Sequence, residues 1–119
     1  TKLEILDKPI RVVGERDITL SKMKLPCHPS DLVSVSVECS ADIFSSFHVA
    51  GVYQQYFSLW SKGKRIETRS LKSSNSTTVF RKMDRVRSDT LVLRFENYDE
   101  RGDIALNDVV VYIKCRRRQ

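Results

Sequence analysis

Between residues 56 and 72 aromatic and cationic side chains interleave: Tyr56 and Trp60, then Lys62, Lys64, Arg65, Arg69 and Lys72. An aromatic ring offers a flat face carrying negative electrostatic potential, and a cation beside it adds charge. The combination suits a base, a sugar face or an acidic partner strand. Tyr56, Trp60, Lys62, Lys64, Arg65 and Arg69 are therefore the candidate ligand-binding residues. Large aromatics also dominate small cores, so Tyr56 and Trp60 carry a packing role as the competing reading. Further cations cluster in Arg81, Lys82, Arg85 and Arg87, and in a tail of Lys114 and Arg116 to Arg118.

A second stretch is acidic. Asp99, Glu100, Asp103 and Asp108 fall within ten residues. Hard carboxylate oxygens of this kind can hold Ca²⁺, with Asp99, Asp103 and Asp108 as its ligands. The order of acids in a Ca²⁺-binding EF-hand loop is absent, which makes a solvated acidic turn the plainer reading and no cofactor the expectation.

Nothing in the chain reads as a catalytic centre. His28 and His48 are the only histidines, and neither stands at a metal-ligand spacing from a partner. Cys27 and His28 are adjacent, and adjacent residues on a strand face opposite sides. The serines lack a nucleophile elbow, and four glycines make no phosphate loop. Three cysteines, Cys27, Cys39 and Cys115, allow one bridge with a thiol left over, or three reduced core thiols. Asn75-Ser76-Thr77 is an N-glycosylation sequon in a polar stretch and leans toward the secretory route.

At 119 residues the chain is one domain over 1–119, long enough for a single hydrophobic core. The net charge of +6 favours an anionic partner, though a lysine-rich surface for solubility has the same charge. No apolar run reaches the roughly 18 residues that span a bilayer as a helix. A chain that opens on Thr1 reads as processed, so the lack of a leader does not bear on compartment.

These residues must be positioned by strands. Residues 3–6 and 10–13 are short apolar runs around Pro9, and 17–25 alternate with one slip near Ser21 that predicts a bulge. The cleanest alternation is 32–39, which predicts Val33, Val35, Val37 and Cys39 on one face. Strands are expected around 46–53 and 55–61, with Ser61 to Lys64 as a turn and 65–71 as the return strand. Another begins at Val79-Phe80, a charged connector spans 82–89, and 91–115 reads as a terminal hairpin or two neighbouring long strands around Gly102. Eight to ten short strands with regular turn signals and no amphipathic helix predict an all-β, single-domain β-sandwich of jelly-roll type with mostly antiparallel strands.

The segment Gly102-Asp-Ile-Ala-Leu-Asn-Asp-Val-Val109, followed by Cys115, resembles the closing segment of MAM domains. More loosely it is similar to the galactose-binding-like jelly rolls, which include carbohydrate-binding modules and the ligand-binding domain of Eph receptors. The resemblance covers about fifteen residues. It implies an extracellular adhesion or recognition module that binds protein or glycan through its loops, with Asp108 tying down the turn before the last strand. An extracellular jelly roll is expected to link Cys39 to Cys115. The chain is shorter than a typical MAM domain and does not reproduce its four-cysteine frame.

The expected function is a non-enzymatic binding module that contacts a protein or glycan through loops or a basic, aromatic sheet face, with an extracellular or secretory location. The alternative is an intracellular or viral β-domain that binds nucleic acid or assembles into a larger structure.

Overall fold

The computed structural model describes residues 1–43, 55–71, 76–82, 84–100 and 103–117. The strand expected at 46–53, His48 and the sequon's Asn75 lie outside them. Among the described residues nine strands form: β1 Lys2–Glu4, β2 Ile10–Val13, β3 Arg16–Lys24, β4 Leu32–Ile43, β5 Gln55–Ser61, β6 Lys64–Ser70, β7 Ser76–Arg81, β8 Thr90–Asn97 and β9 Asp103–Cys115. Among the described residues the only helical element is a single 3₁₀ turn, Pro29–Asp31. His28 caps it, its Nδ1 meeting the Ser30 amide at 3.2 Å, which gives this histidine a local structural task.

The strands make two antiparallel sheets. One has the order β1-β9-β4-β7, with β2 also on β9; the other is β3-β8-β5-β6. The pairs β5–β6, β4–β7, β3–β8 and β2–β9 nest inside one another, as in one long hairpin rolled so that successive pairs fall in alternate sheets. That connectivity is the jelly roll, and the all-β sandwich expected from the strand pattern is the fold of the domain. At the tip of the roll, Lys62 (φ 50°) and Gly63 (φ 75°) are both left-handed. Two such residues make the tight turn whose twist matches a β-hairpin.

Between the sheets the core is built from alternating positions. Phe57 and Leu59 of β5 and Leu91, Leu93 and Phe95 of β8 meet Val35 and Val37 of β4 and Val111 and Ile113 of β9. Two bulges keep that alternation aimed inward. The β3–β8 ladder slips between Thr19 and Ser21, where the sequence predicts it. The β4–β9 ladder slips at Asn107, so that both Leu106 and Val109 face the core although they are an odd number of residues apart.

Four expectations are corrected. First, 91–115 is not a hairpin: β8 pairs with β3 and β5, whereas β9 pairs with β1, β2 and β4 in the other sheet. Each strand carries one apolar face, and the sandwich lets those faces meet across the core rather than lie side by side. Second, Val33 is 42% exposed and Leu32 is buried in its place, because the ladder with β9 shifts between Leu32 and Ser34. Third, Cys115 is bonded to Cys27, and Cys39 is a buried cysteine outside the bridge. Cys115 stands opposite Leu32 on β4. Cys39 is seven residues further along that strand (39 − 32), which at about 3.3 Å per residue is roughly 23 Å, far beyond disulfide reach. Fourth, Asp108 does not precede the last strand. It is an exposed residue within β9, opposite Ser40 beside the bulge.

Thr1 and Arg116 are both hydrogen-bonded to neighbouring strands and turns. The Thr1 ammonium donates to the Ile113 carbonyl at 2.8 Å. Past the disulfide, the Arg116 amide donates to the Asp31 carbonyl at 2.6 Å and its guanidinium to the buried Asp31 carboxylate at 3.2 Å.

Candidate binding face

Side chains alternate along a strand, so the residues between the core positions of β5 and β8 face away from the core. On β5 these are Tyr56, Ser58 and Trp60; on β8 they are Val92, Arg94 and Glu96. The register aligns them into rows. Trp60 lies between Arg65 of β6 and Val92, followed by Lys22 of β3. Ser58 lies between Thr68 and Arg94, followed by Thr19. Tyr56 lies between Ser70 and Glu96, followed by Asp17.

Trp60 is the centre of this face. The Arg94 guanidinium carbon is 4.7 Å from its ring centroid and that of Arg65 is 5.2 Å away. Both distances are within cation–π range. The indole N–H donates to Ser58 Oγ at 2.8 Å, which fixes the plane of the ring. Each guanidinium also has an acidic anchor: Arg65 donates to Glu96 at 3.0 Å, and Arg94 lies 3.8 Å from Asp17. These anchors orient the two cations without fully screening them, since Arg65 remains 47% exposed and Arg94 33%.

Glu96 links the cationic and aromatic parts. Its side chain is only 2% exposed, and one oxygen, Oε1, accepts from both Arg65 and the Tyr98 hydroxyl, the latter at 2.9 Å. The Tyr98 ring in turn lies 5.8 Å from Tyr56. The second oxygen, Oε2, is buried and has no hydrogen-bond partner. An unmatched buried acceptor of this kind costs on the order of 1–3 kcal/mol.

The Glu96 carboxylate holds the Tyr98 phenol in its protonated form, first by accepting its hydrogen bond, then through burial and charge, and so raises its pKa above the ordinary tyrosine value. A raised folded-state pKa gives stabilisation that is complete below the ordinary value and is lost as pH rises through the higher one. Titrated by phenolate absorbance, Tyr98→Phe is expected to lose a late, high-pH component; an unchanged high-pH profile would contradict the Tyr98–Glu96 bond.

The six residues singled out from sequence are divided by the fold. Tyr56, Trp60 and Arg65 share the outer face. Lys62 and Lys64 are exposed in and beside the hairpin turn at one end of it. Arg69 is opposite Phe57, which faces the core, and it ion-pairs with Glu67 at the open edge of the sandwich. Near that edge Ile66, Glu67, Thr68, Lys82, Asp84 and Arg85 line a shallow cleft of about 630 Å³. Arg94, Glu96 and Tyr98 gather with them at this outer face but are not among the six. Their signal was available: in Leu91-Val-Leu-Arg-Phe-Glu the charged residues occupy the positions opposite to the apolar ones.

The acidic residues considered for Ca²⁺ each have surroundings of their own. Arg11 grips Asp103, donating to it from Nε at 2.9 Å, and holds its carboxyl below the usual carboxylate range chiefly through that hydrogen bond. Asp108 projects from the strand, and the Asp99 amide donates to the Asn97 side-chain oxygen at 3.0 Å. Among the described residues no three His, Cys, Asp or Glu side chains gather as a metal site, and no helix is long and apolar enough to cross a membrane.

No protein-family model matches the chain, and no curated protein matches it in sequence.

Proposed function

We propose that this jelly roll is a non-enzymatic recognition module that binds an acidic partner, a protein or a glycan, on the outer face of the β3-β8-β5-β6 sheet. The observation that carries this reading is the pair of half-exposed guanidiniums, Arg65 and Arg94, held over Trp60. A planar cation on an aromatic ring has shed part of its hydration and presents a preset fork to a carboxylate or sulfate. Lys22 on the same face and Lys62 and Lys64 at its end extend the positive field. The surrounding net charge of +6 speeds the approach of an anion.

The disulfide supports an extracellular or secretory setting, because such bridges persist where the surroundings are oxidising. The likeness of residues 102–115 to MAM domains points the same way. The test is titration with heparin as a model acidic glycan. The protein is expected to bind, and Arg94→Ala to weaken the affinity by about tenfold, the loss of one charge-assisted contact. A stronger affinity for a single-stranded DNA of matched charge would instead assign the face to nucleic acid.

A further inference from the structure

Glu96 is out of place on a face built for anions. Its carboxylate repels the proposed ligand, and one of its oxygens has no partner. A binding face that needed only positive charge would gain from a neutral residue here. Arg65 and Tyr98 are satisfied through Oε1 alone, so positioning those two groups does not require Oε2. The unused oxygen can only accept a hydrogen bond, since an ionised carboxylate has no proton to donate. It therefore calls for a ligand that supplies an O–H or N–H within the same footprint in which it supplies negative charge to Arg65 and Arg94.

We infer that Glu96 is a specificity-determining residue of this face, and that the ligand it selects is an acidic saccharide that donates a ring hydroxyl to Glu96 Oε2. The inference rests on the binding face proposed above. A sugar ring fits the neighbouring groups: its apolar face suits Tyr56, its carboxylate or sulfate suits the two guanidiniums held over Trp60, and its hydroxyls are the donors that a carboxylate lacks. Oε2 is shielded from water in the unliganded arrangement. The hydroxyl enters with a displacement of Tyr98, whose side chain is loosely covered at 44% exposed. Binding a buried polar group to its missing partner discriminates strongly, because an analogue without the donor leaves the acceptor unmatched.

The experiment compares a heparin oligosaccharide with the same oligosaccharide whose hydroxyls are methylated, against the wild-type protein and Glu96→Gln. Wild type is expected to prefer the free hydroxyls by roughly tenfold, and Glu96→Gln to lose that preference. If Glu96 only positions its neighbours, the variant weakens both ligands in parallel and the preference survives, which overturns the inference. The wild-type comparison is decisive even where the variant fails to fold: equal affinity for the two oligosaccharides also overturns it. Failure of wild type to bind either one, with capture of polyglutamate instead, assigns the face to an acidic protein; failure to bind any of the three removes the underlying reading as well.

Discussion

Reducing the Cys27–Cys115 bridge, or replacing both cysteines with serine, is expected to lower the stability by about 2–5 kcal/mol. The bond joins positions 88 residues apart, so it removes a large amount of chain freedom from the unfolded state. It also fastens the end of β9 to the β3–β4 connection, where Arg116 meets Asp31. Domains of this size are held by only about 5–15 kcal/mol in total, so the reduced form is expected to melt far earlier. Denaturation with and without reductant measures the difference. A shift below about 0.5 kcal/mol would show that the bridge adds little to a sandwich already closed by its core. A Cys39→Ser variant provides the comparison, because it leaves the bridge intact.

Phe95→Ala is expected to cost about 3–5 kcal/mol. Phe95 is fully buried in β8, an interior strand of its sheet. Its ring meets Phe57 edge-on, with centroids 5.8 Å apart, in the register position directly opposite on β5. Ile18 of β3 flanks it on the other side. Truncation removes the apolar area and leaves a cavity that three paired strands cannot close. Urea denaturation gives the change in stability, and a loss under about 1 kcal/mol would contradict the packing described for β8. Phe95 lies between two outward residues of the sheet, Arg94 and Glu96, so the same strand supports the core on one side and the proposed site on the other.

How much of this was legible beforehand follows from the range of each signal. The β5–β6 hairpin was legible because its turn, Lys62-Gly63, and both strands are local. The bulge in β3 was legible because a break in alternation is visible within one strand. The pairing of β8 and β9 was not, since two amphipathic strands joined by a short connection fit a hairpin and a crossover between sheets equally well. The disulfide partner depends on the register of β4 against β9, which no spacing of three cysteines contains. The site followed the same division. Tyr56, Trp60 and Arg65 come from one hairpin and were named together. Arg94 and Glu96 reach them only through the β5–β8 ladder. Arg69 was grouped with them through proximity in sequence, but the register places it opposite Phe57.

On the proposed reading the outer face of β3-β8-β5-β6, and not positive charge in general, carries recognition. It is tested most directly by heparin titration of two charge-matched double variants, Arg65→Glu/Arg94→Glu on that face and Lys82→Glu/Arg85→Glu beside the cleft at the open edge. The first is expected to lose affinity by roughly a hundredfold, two charge-assisted contacts turned repulsive, while the second changes only by the few-fold expected of a shift in net charge. Equal losses in the two variants would contradict it.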